Sequence, residues 1–245
     1  MNILITGSEG FIGKNLIEYM KKYTNHKLIE FCKNKSLSDL NNIISEIDYV
    51  YHFAGVNRAN DINLFQKVNV GLTKNLCEII SANKKAKLIF ASSKQATLDN
   101  PYGISKRKAE DICKELSNRN KNKICIVRLP GIYGNGCKPN YNSVVATFCF
   151  NIANDIDIKI FDKNKSIELI YINDLCNYLI KLTELEQFNC DTGNLHGNNI
   201  TIIELANLIK MFKYKIDNNE RIFLNSQFES NLLQTFRGYL TYKQN

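Results

Sequence analysis

The 245 residues are 44% hydrophobic and 23% charged, ordinary globular usage that excludes a disordered chain. Lys and Arg number 32 against 24 Asp and Glu, a net charge of +8 that favours anionic partners such as phosphates and nucleotides. The densest basic clusters, Lys84-Lys85-Ala86-Lys87 and Lys106-Arg107-Lys108, are short and lack interleaved aromatics, which argues against a nucleic-acid interface. The eight cysteines show no paired CxxC spacing, so no metal site is expected, and they read as reduced thiols. Met1-Asn2-Ile3-Leu4-Ile5-Thr6 has no basic segment and too short an apolar run for a signal peptide, and no stretch is long enough for membrane insertion. A cytoplasmic protein is the expectation.

Ile3-Leu4-Ile5 reads as a buried parallel strand that breaks into Gly7-Ser8-Glu9-Gly10-Phe11-Ile12-Gly13. Leu16, Ile17 and Met20 then recur at helical spacing up to Tyr23, so the glycines stand where strand turns into helix. Glycine there permits a tight turn, close approach of backbone to a pyrophosphate, and close helix–strand packing, with the phosphate on the helix N-terminus. Gly7, Gly10, Phe11, Ile12 and Gly13 are therefore the expected cofactor loop, although the spacing is GxxGxxG and an ordinary glycine-rich turn is the alternative.

The next apolar run, Leu28 to Cys32, ends in Lys33-Asn34-Lys35, where the adenosine ribose of a dinucleotide should lie. An acid at that end suits NAD and a cation suits a ribose phosphate, so Lys33 points to NADP (as NADPH), with NAD still possible. Leu37 to Ile47 reads as a short helix and Tyr49 to Phe53 as a strand ending in Ala54-Gly55-Val56-Asn57-Arg58. The small Ala54 and Gly55 leave room for the cofactor backbone. His52, alone in an apolar strand, reads as a hydrogen-bonded core residue. Arg58 could meet a substrate diphosphate at the crevice edge or form a surface ion pair. A long helix from Asp61 to Ala82 follows; Asn69, on or beside its apolar stripe, needs a partner from the backbone or the cofactor side.

Leu88-Ile89-Phe90 is the next strand and delivers Ala91-Ser92-Ser93 to the same edge, after which Pro101 opens a helix running past Leu116. Tyr102 and Lys106, four apart, project from one face of it. A neighbouring ammonium favours the phenolate; lowering a phenol from its usual ~10 by three units needs roughly 4 kcal/mol. Tyr23 with Lys27 and Tyr239 with Lys243 share the spacing. Position separates them: Tyr23 leaves the first helix, Tyr239 is near the C-terminus, and Tyr102 follows a strand that ends in serines. Ser93 and Tyr102 could both approach one substrate oxygen.

After the strand Ile124 to Leu129, the Pro130 to Pro139 stretch reads as loop and leads into a lobe. Its expected elements are a helix from Ser143 to Asn154, strands at Ile158–Phe161 and Ile167–Ile172, a helix from Asp174 to Glu186, and a helix to Phe212 opened by the capping box Thr201/Glu204. The reading is α/β: a Rossmann-type doubly wound parallel sheet with a small C-terminal substrate-binding lobe. Residues 1–135 form the NADP-binding core with the catalytic residues, and 136–245 mainly the lobe, with elements interleaved with the core.

With these residues placed, the chain resembles the extended short-chain dehydrogenase/reductases of the NAD(P)-dependent epimerase/dehydratase family. Gly7, Gly10 and Gly13 match the cofactor loop, and Ser93, Tyr102 and Lys106 the catalytic triad. Within it the chain is similar to the reductase portion of bifunctional capsular-polysaccharide enzymes, at Ala54 to Arg58, Gln95-Ala96-Thr97, Asp99 to Gly103, and Lys138-Pro139-Asn140-Tyr141-Asn142-Ser143 continuing to Cys149. The resemblance implies NADPH-dependent reduction of a UDP-linked 4-keto-6-deoxy-hexosamine to UDP-N-acetyl-6-deoxytalosamine. Tyr102 would donate the proton, Lys106 would lower its pKa and bind the nicotinamide ribose, and Ser93 would bind the ketone oxygen. Arg58, Ser93, Lys138, Asn142 and Ser143 would contact the UDP-sugar. The resemblance further implies a homodimer and, since full-length relatives carry a metal-binding cupin domain, either a separate cupin-type epimerase or a longer protein of which this chain is a fragment. Gly131 stands where many relatives have a substrate-facing Asn.

A 4,6-dehydratase of this family would need an acidic pair just after the serine, and this chain has Lys94-Gln95. An epimerase that retains its cofactor shares the triad and remains the alternative. A non-catalytic NADP sensor is a further alternative, weakened by the retention of Ser93, Tyr102 and Lys106 together.

Overall fold

The computed structural model describes residues 1–184, 188 and 195–242. It divides into two compact units. The first comprises Met1–Leu129 and the described residues from Cys176 to Leu195; the second comprises Pro130–Leu175 and the described residues from His196 onward.

Continuous apolar runs build the first unit's sheet, as expected of parallel strands covered on both faces. Strands β1 (Asn2–Thr6), β2 (Lys27–Phe31), β3 (Tyr49–His52), β4 (Lys87–Ser93) and β5 (Ile124–Leu129) are all parallel, in the order β2-β1-β3-β4-β5. The connection from β1 to β2 runs one way across the sheet and the later connections run the other, so a topological switch point lies between β1 and β3. Helix α1 (Phe11–Tyr23) links β1 to β2. The expected helix over 37–47 is only α2 (Ser38–Asn41) and a 3₁₀ turn (Ile44–Glu46). The expected helix over 61–82 is helical from 63 to 80 but changes pitch: α3 (Asn63–Phe65), a π-helical segment (Gln66–Leu72) and α4 (Thr73–Ile80). Leu4, Val50, Leu88 and Phe90 of the sheet share one core cluster with Leu76, Ile80, Cys113 and Leu116.

Helix α5 (Pro101–Asn120) begins with Asn100 as N-cap, whose side-chain oxygen accepts from the Gly103 N–H at 2.8 Å, and with Pro101 at the first position. Its first turn lies on a 3₁₀ turn (Lys94–Thr97) that follows β4.

In the second unit, β6 (Gly131–Tyr133), β7 (Ser166–Tyr171) and β8 (Asn198–Thr201) form a sheet in that order, parallel between β6 and β7 and antiparallel between β7 and β8. Helices α6 (Val144–Ala153), α8 (Ile202–Asp217) and α9 (Gln227–Leu240) pack on one another. The capping box Thr201/Glu204 is present. Helix α7 (Ile172–Glu184) begins in this unit, and its residues from Cys176 belong to the first, where the Tyr49 and Tyr51 hydroxyls donate to the carbonyls of Thr183 (2.9 Å) and Leu179 (2.8 Å).

Several expectations for this half of the chain need correction. Ile158–Phe161 is not a strand: its alternating pattern finds no partner, and Phe161 is 95% exposed. The supposed loop after Leu129 contains β6, while β8 and α9 carried no recognised signal. Residues 185 and 186 of the expected helix lie outside the described residues. Cys32, Cys77, Cys113, Cys137, Cys149 and Cys176 are free thiols as read, but Cys125 is disulfide-bonded; Cys190 lies outside the described residues.

Gly103 gives a test in which two effects oppose each other. Alanine improves an exposed helix interior by ~1 kcal/mol, but a Cβ at this position would collide with the Gln95 carbonyl oxygen and stand 2.7 Å from that of Leu98. Both obstacles are backbone, so overpacking should win. Gly103→Ala is expected to destabilise the protein by about 1–3 kcal/mol in urea denaturation.

Candidate functional site

The loop after β1 is shaped by near contact. Gly7 has φ +70°, and a Cβ on it would lie 2.7 Å from the Ala54 nitrogen at the end of β3. A Cβ on Gly13 would strike the Gly7 carbonyl oxygen and approach Ser8 Cα at 2.9 Å. The Gly10 N–H donates to Gly7 O at 2.9 Å, and Gly10 is the N-cap of α1 with no side chain to cap it. Glycines thus thin the backbone beside the switch point and leave the α1 N-terminus without a side-chain acceptor, which fits a pyrophosphate there. Phe11 and Ile12 are partly buried in the first turn.

The ends of β2 and β3 carry the other expected cofactor residues. Lys33 is exposed in the turn after β2, whereas the Lys35 ammonium donates to the Glu30 carbonyl at 2.7 Å and the Glu30 carboxylate pairs with Lys21 at 3.1 Å. Ala54 is partly buried; Gly55 and Arg58 are exposed. A Cβ on Gly55 would sit 2.9 Å from Asn69 Oδ1. Asn69 proves to have protein partners: Oδ1 accepts from Val56 N (2.8 Å), and Nδ2 donates to Val56 O (2.9 Å) and Ser105 Oγ (2.9 Å). The amide ties the post-β3 loop to α5.

His52 is structural, as read. Thr73 Oγ1 gives its proton to Asn69 O (2.7 Å), so it accepts from His52 Nε2–H (3.0 Å), and Thr6 Oγ1 then donates to Nδ1 at 2.6 Å. Burial, with a smaller effect from the Lys106 charge, lowers this imidazole to about 3, so it stays neutral.

The structure brings Ser93, Tyr102 and Lys106 together where β4 meets α5. The Ser93 hydroxyl stands against the Tyr102 phenol and accepts from Gln95 N at 3.2 Å. The Phe65 ring packs on the Tyr102 ring with centroids 5.9 Å apart. The Lys106 ammonium is buried, donates to Ala91 O at 2.5 Å and lies 4.4 Å over the Phe90 ring. One expectation changes. Burial raises the Tyr102 phenol above its ordinary value, against the downward pull of the Ser93 hydrogen bond, so the phenol is not acidified as the spacing suggested. Lys106 itself is lowered to about 8, chiefly by burial.

Lys138, Asn142 and Ser143 belong to the second unit. Lys138 lies 5.8 Å from the Tyr141 ring centroid, Asn142 is exposed, and Ser143 caps α6 by accepting from Ala146 N at 3.3 Å. Among the described residues no cluster of His, Cys, Asp and Glu could hold a metal ion, and no helix is long and apolar enough to cross a membrane. Two residues escaped the sequence reading: Ser105, which joins Asn69 to the Tyr102 carbonyl (2.7 Å), and Glu110. The signal for Glu110 was its spacing, one turn beyond Lys106 on the same helix stripe.

Residues 3–190 match the model of the NAD dependent epimerase/dehydratase family. The chain belongs to this family. It is 36% identical over 215 residues to UDP-2-acetamido-2,6-beta-L-arabino-hexul-4-ose reductase of Pseudomonas aeruginosa, covering 87% of this chain and 58% of that protein. Its fold matches the crystal structure of the capsular polysaccharide assembling protein CapF from Staphylococcus aureus with a TM-score of 0.85 and 34% identity, over 98% of this chain and 66% of that one. The chain thus spans roughly three-fifths of these two relatives' length. UDP-glucuronic acid 4-epimerase from Bacillus cereus shares the fold at a TM-score of 0.84 and 17% identity, over 98% of this chain and 99% of that one.

Lys106 ties stability to pH with a definite sign. Below pH 8 both folded and unfolded chains carry its proton, and the burial cost is complete; between about 8 and the ordinary 10.5 the folded protein sheds the proton and the cost fades. That cost is ~3 kcal/mol, offset by ~1 kcal/mol for the hydrogen bond to Ala91. Lys106→Met should therefore be more stable than wild type by about 2 kcal/mol at pH 7, with the advantage shrinking toward pH 10 in denaturant titrations.

Proposed function

We propose that the chain is an NADPH-dependent reductase acting on the ketone of a UDP-linked 4-keto-6-deoxy-hexosamine, forming UDP-N-acetyl-6-deoxytalosamine for a capsular or O-antigen polysaccharide. The observation that carries the reading is the placement of Tyr102 against Ser93 at the end of β4, with Lys106 buried one turn along α5. A phenol held above its ordinary value keeps its proton at pH 7. It is therefore suited to giving that proton to a ketone oxygen as the carbon is reduced. The 36% identity to a hexulose reductase supports the substrate class.

The residues present fit a dinucleotide. Gly7, Gly10, Phe11, Ile12 and Gly13 would hold the pyrophosphate, Ala54 and Gly55 would leave room beside it, and Lys33 would meet a ribose phosphate. NADPH, when bound, supplies the hydride. Ser93 orients the phenol and offers its hydroxyl to the same oxygen. Lys106 places a positive charge under the site and would reach the nicotinamide ribose. Lys94 and Gln95 follow Ser93 where water loss would need carboxylic acids, which disfavours dehydration. Arg58, Lys138, Asn142 and Ser143 are the proposed contacts to the UDP-sugar.

An NADPH-oxidation assay with UDP-4-keto-6-deoxy-hexosamine tests the reading. NADPH should be consumed in proportion to product; isomer interconversion with the cofactor unchanged would instead identify an epimerase. Tyr102→Phe should lower kcat by about 10²- to 10⁴-fold, with NADPH affinity within about threefold of wild type. Lys33→Glu should shift the NADPH over NADH preference by about tenfold or more toward NADH, read from the two kcat/KM values.

A further inference from the structure

Glu110 has no part in the chemistry proposed above, yet its carboxylate is fully buried and carries three hydrogen bonds. Oε1 accepts from Ser92 Oγ at 2.5 Å and Arg128 Nε at 2.9 Å, and Oε2 accepts from Arg128 Nη2 at 2.6 Å. Ser92 and Arg128 are register partners on β4 and β5. One carboxylate on α5 therefore clamps two neighbouring strands, one residue before Ser93.

We propose that Glu110 is a positioning residue, which fixes the height of α5 along β4 and so sets Tyr102 and Lys106 against Ser93. Tyr102, Lys106 and Glu110 stand at i, i+4 and i+8, one stripe of the helix. Their neighbours are three successive residues of one strand: Lys106 donates to Ala91 O, Glu110 accepts from Ser92 Oγ, and Tyr102 faces Ser93. The first and last of these are single contacts that tolerate sliding. The Arg128 fork is bidentate and planar, so it specifies distance and angle together. A buried ion pair adds little net stability over a well-packed apolar pair. Its distinctive contribution here is geometric.

The test must separate placement from stability. Glu110→Met/Arg128→Met replaces the pair by apolar groups of similar size and is expected to keep the melting temperature within a few degrees of wild type. The full chain is labelled with 3-fluorotyrosine, and the Tyr102 ¹⁹F resonance is assigned with Tyr102→Phe. In the double variant that resonance is expected to move from its wild-type position, and kcat for NADPH-dependent reduction to fall by about tenfold or more. Should the double variant fail to fold, Arg128→Lys, which keeps the charge on β5 and removes the bidentate fork, is read the same way. An unmoved Tyr102 resonance, or turnover within about twofold of wild type, overturns the proposal. The kinetic part rests on the reductase reading, but the resonance does not: a wild-type protein without turnover would sink that reading while the ¹⁹F spectrum still decides the placement of Tyr102.

Discussion

Burying charge along one face of α5 is the demand around which the first unit is arranged. Lys106 and Glu110 are both withdrawn from water, and an unpaired buried charge would cost several kcal/mol. The strand beneath answers each with a different device: a main-chain carbonyl and an aromatic face for the ammonium, a hydroxyl and a guanidinium from the next strand for the carboxylate. Because these answers come from consecutive residues, β4 and α5 cannot slip past one another without stranding a charge. The Ser93–Tyr102 contact takes its precision from that restraint.

A second polar thread runs from the sheet's switch point to the same helix. Asn69 stands in the π-helical turn, where the altered pitch changes which residues face the sheet. Its amide holds the Val56 backbone and reaches Ser105, which in turn holds the Tyr102 carbonyl. The glycine loop packs on Ala54 from the other side. The loop after β3 and helix α5 are thereby joined through one buried side chain, and His52 is linked to it through Thr73, which donates to the Asn69 carbonyl.

Legibility in the sequence followed the range of the interactions. The strand, glycine turn and helix at the start were readable because an apolar run ending in Gly7 leaves few other conformations. Tyr102 was separable from Tyr23 and Tyr239 only by its place after Ser93, and the structure sets that serine against its hydroxyl. What was not readable depended on tertiary partners. Spacing puts Glu110 on the stripe of Tyr102 and Lys106, but in a helix rich in Lys, Arg and Glu its partner Arg128, on the next strand, could not be read. The raised phenol of Tyr102 reflects packing against elements far away in sequence. Ile158–Phe161 has a strand's alternation but no neighbour to pair with, whereas Asn198–Thr201 pairs with β7 despite a polar start.

Helix α7 also constrains how the polypeptide can reach its native state. The hydroxyls of Tyr49 and Tyr51, themselves buried on β3, are satisfied by carbonyls more than a hundred positions downstream. The nucleotide-type sheet is therefore not finished when its fifth strand leaves the ribosome. It waits through the synthesis of β6, α6 and β7 before Leu179 and Thr183 arrive, so the discontinuous first unit closes late and cannot be excised as a contiguous fragment without leaving two phenol protons without their acceptors.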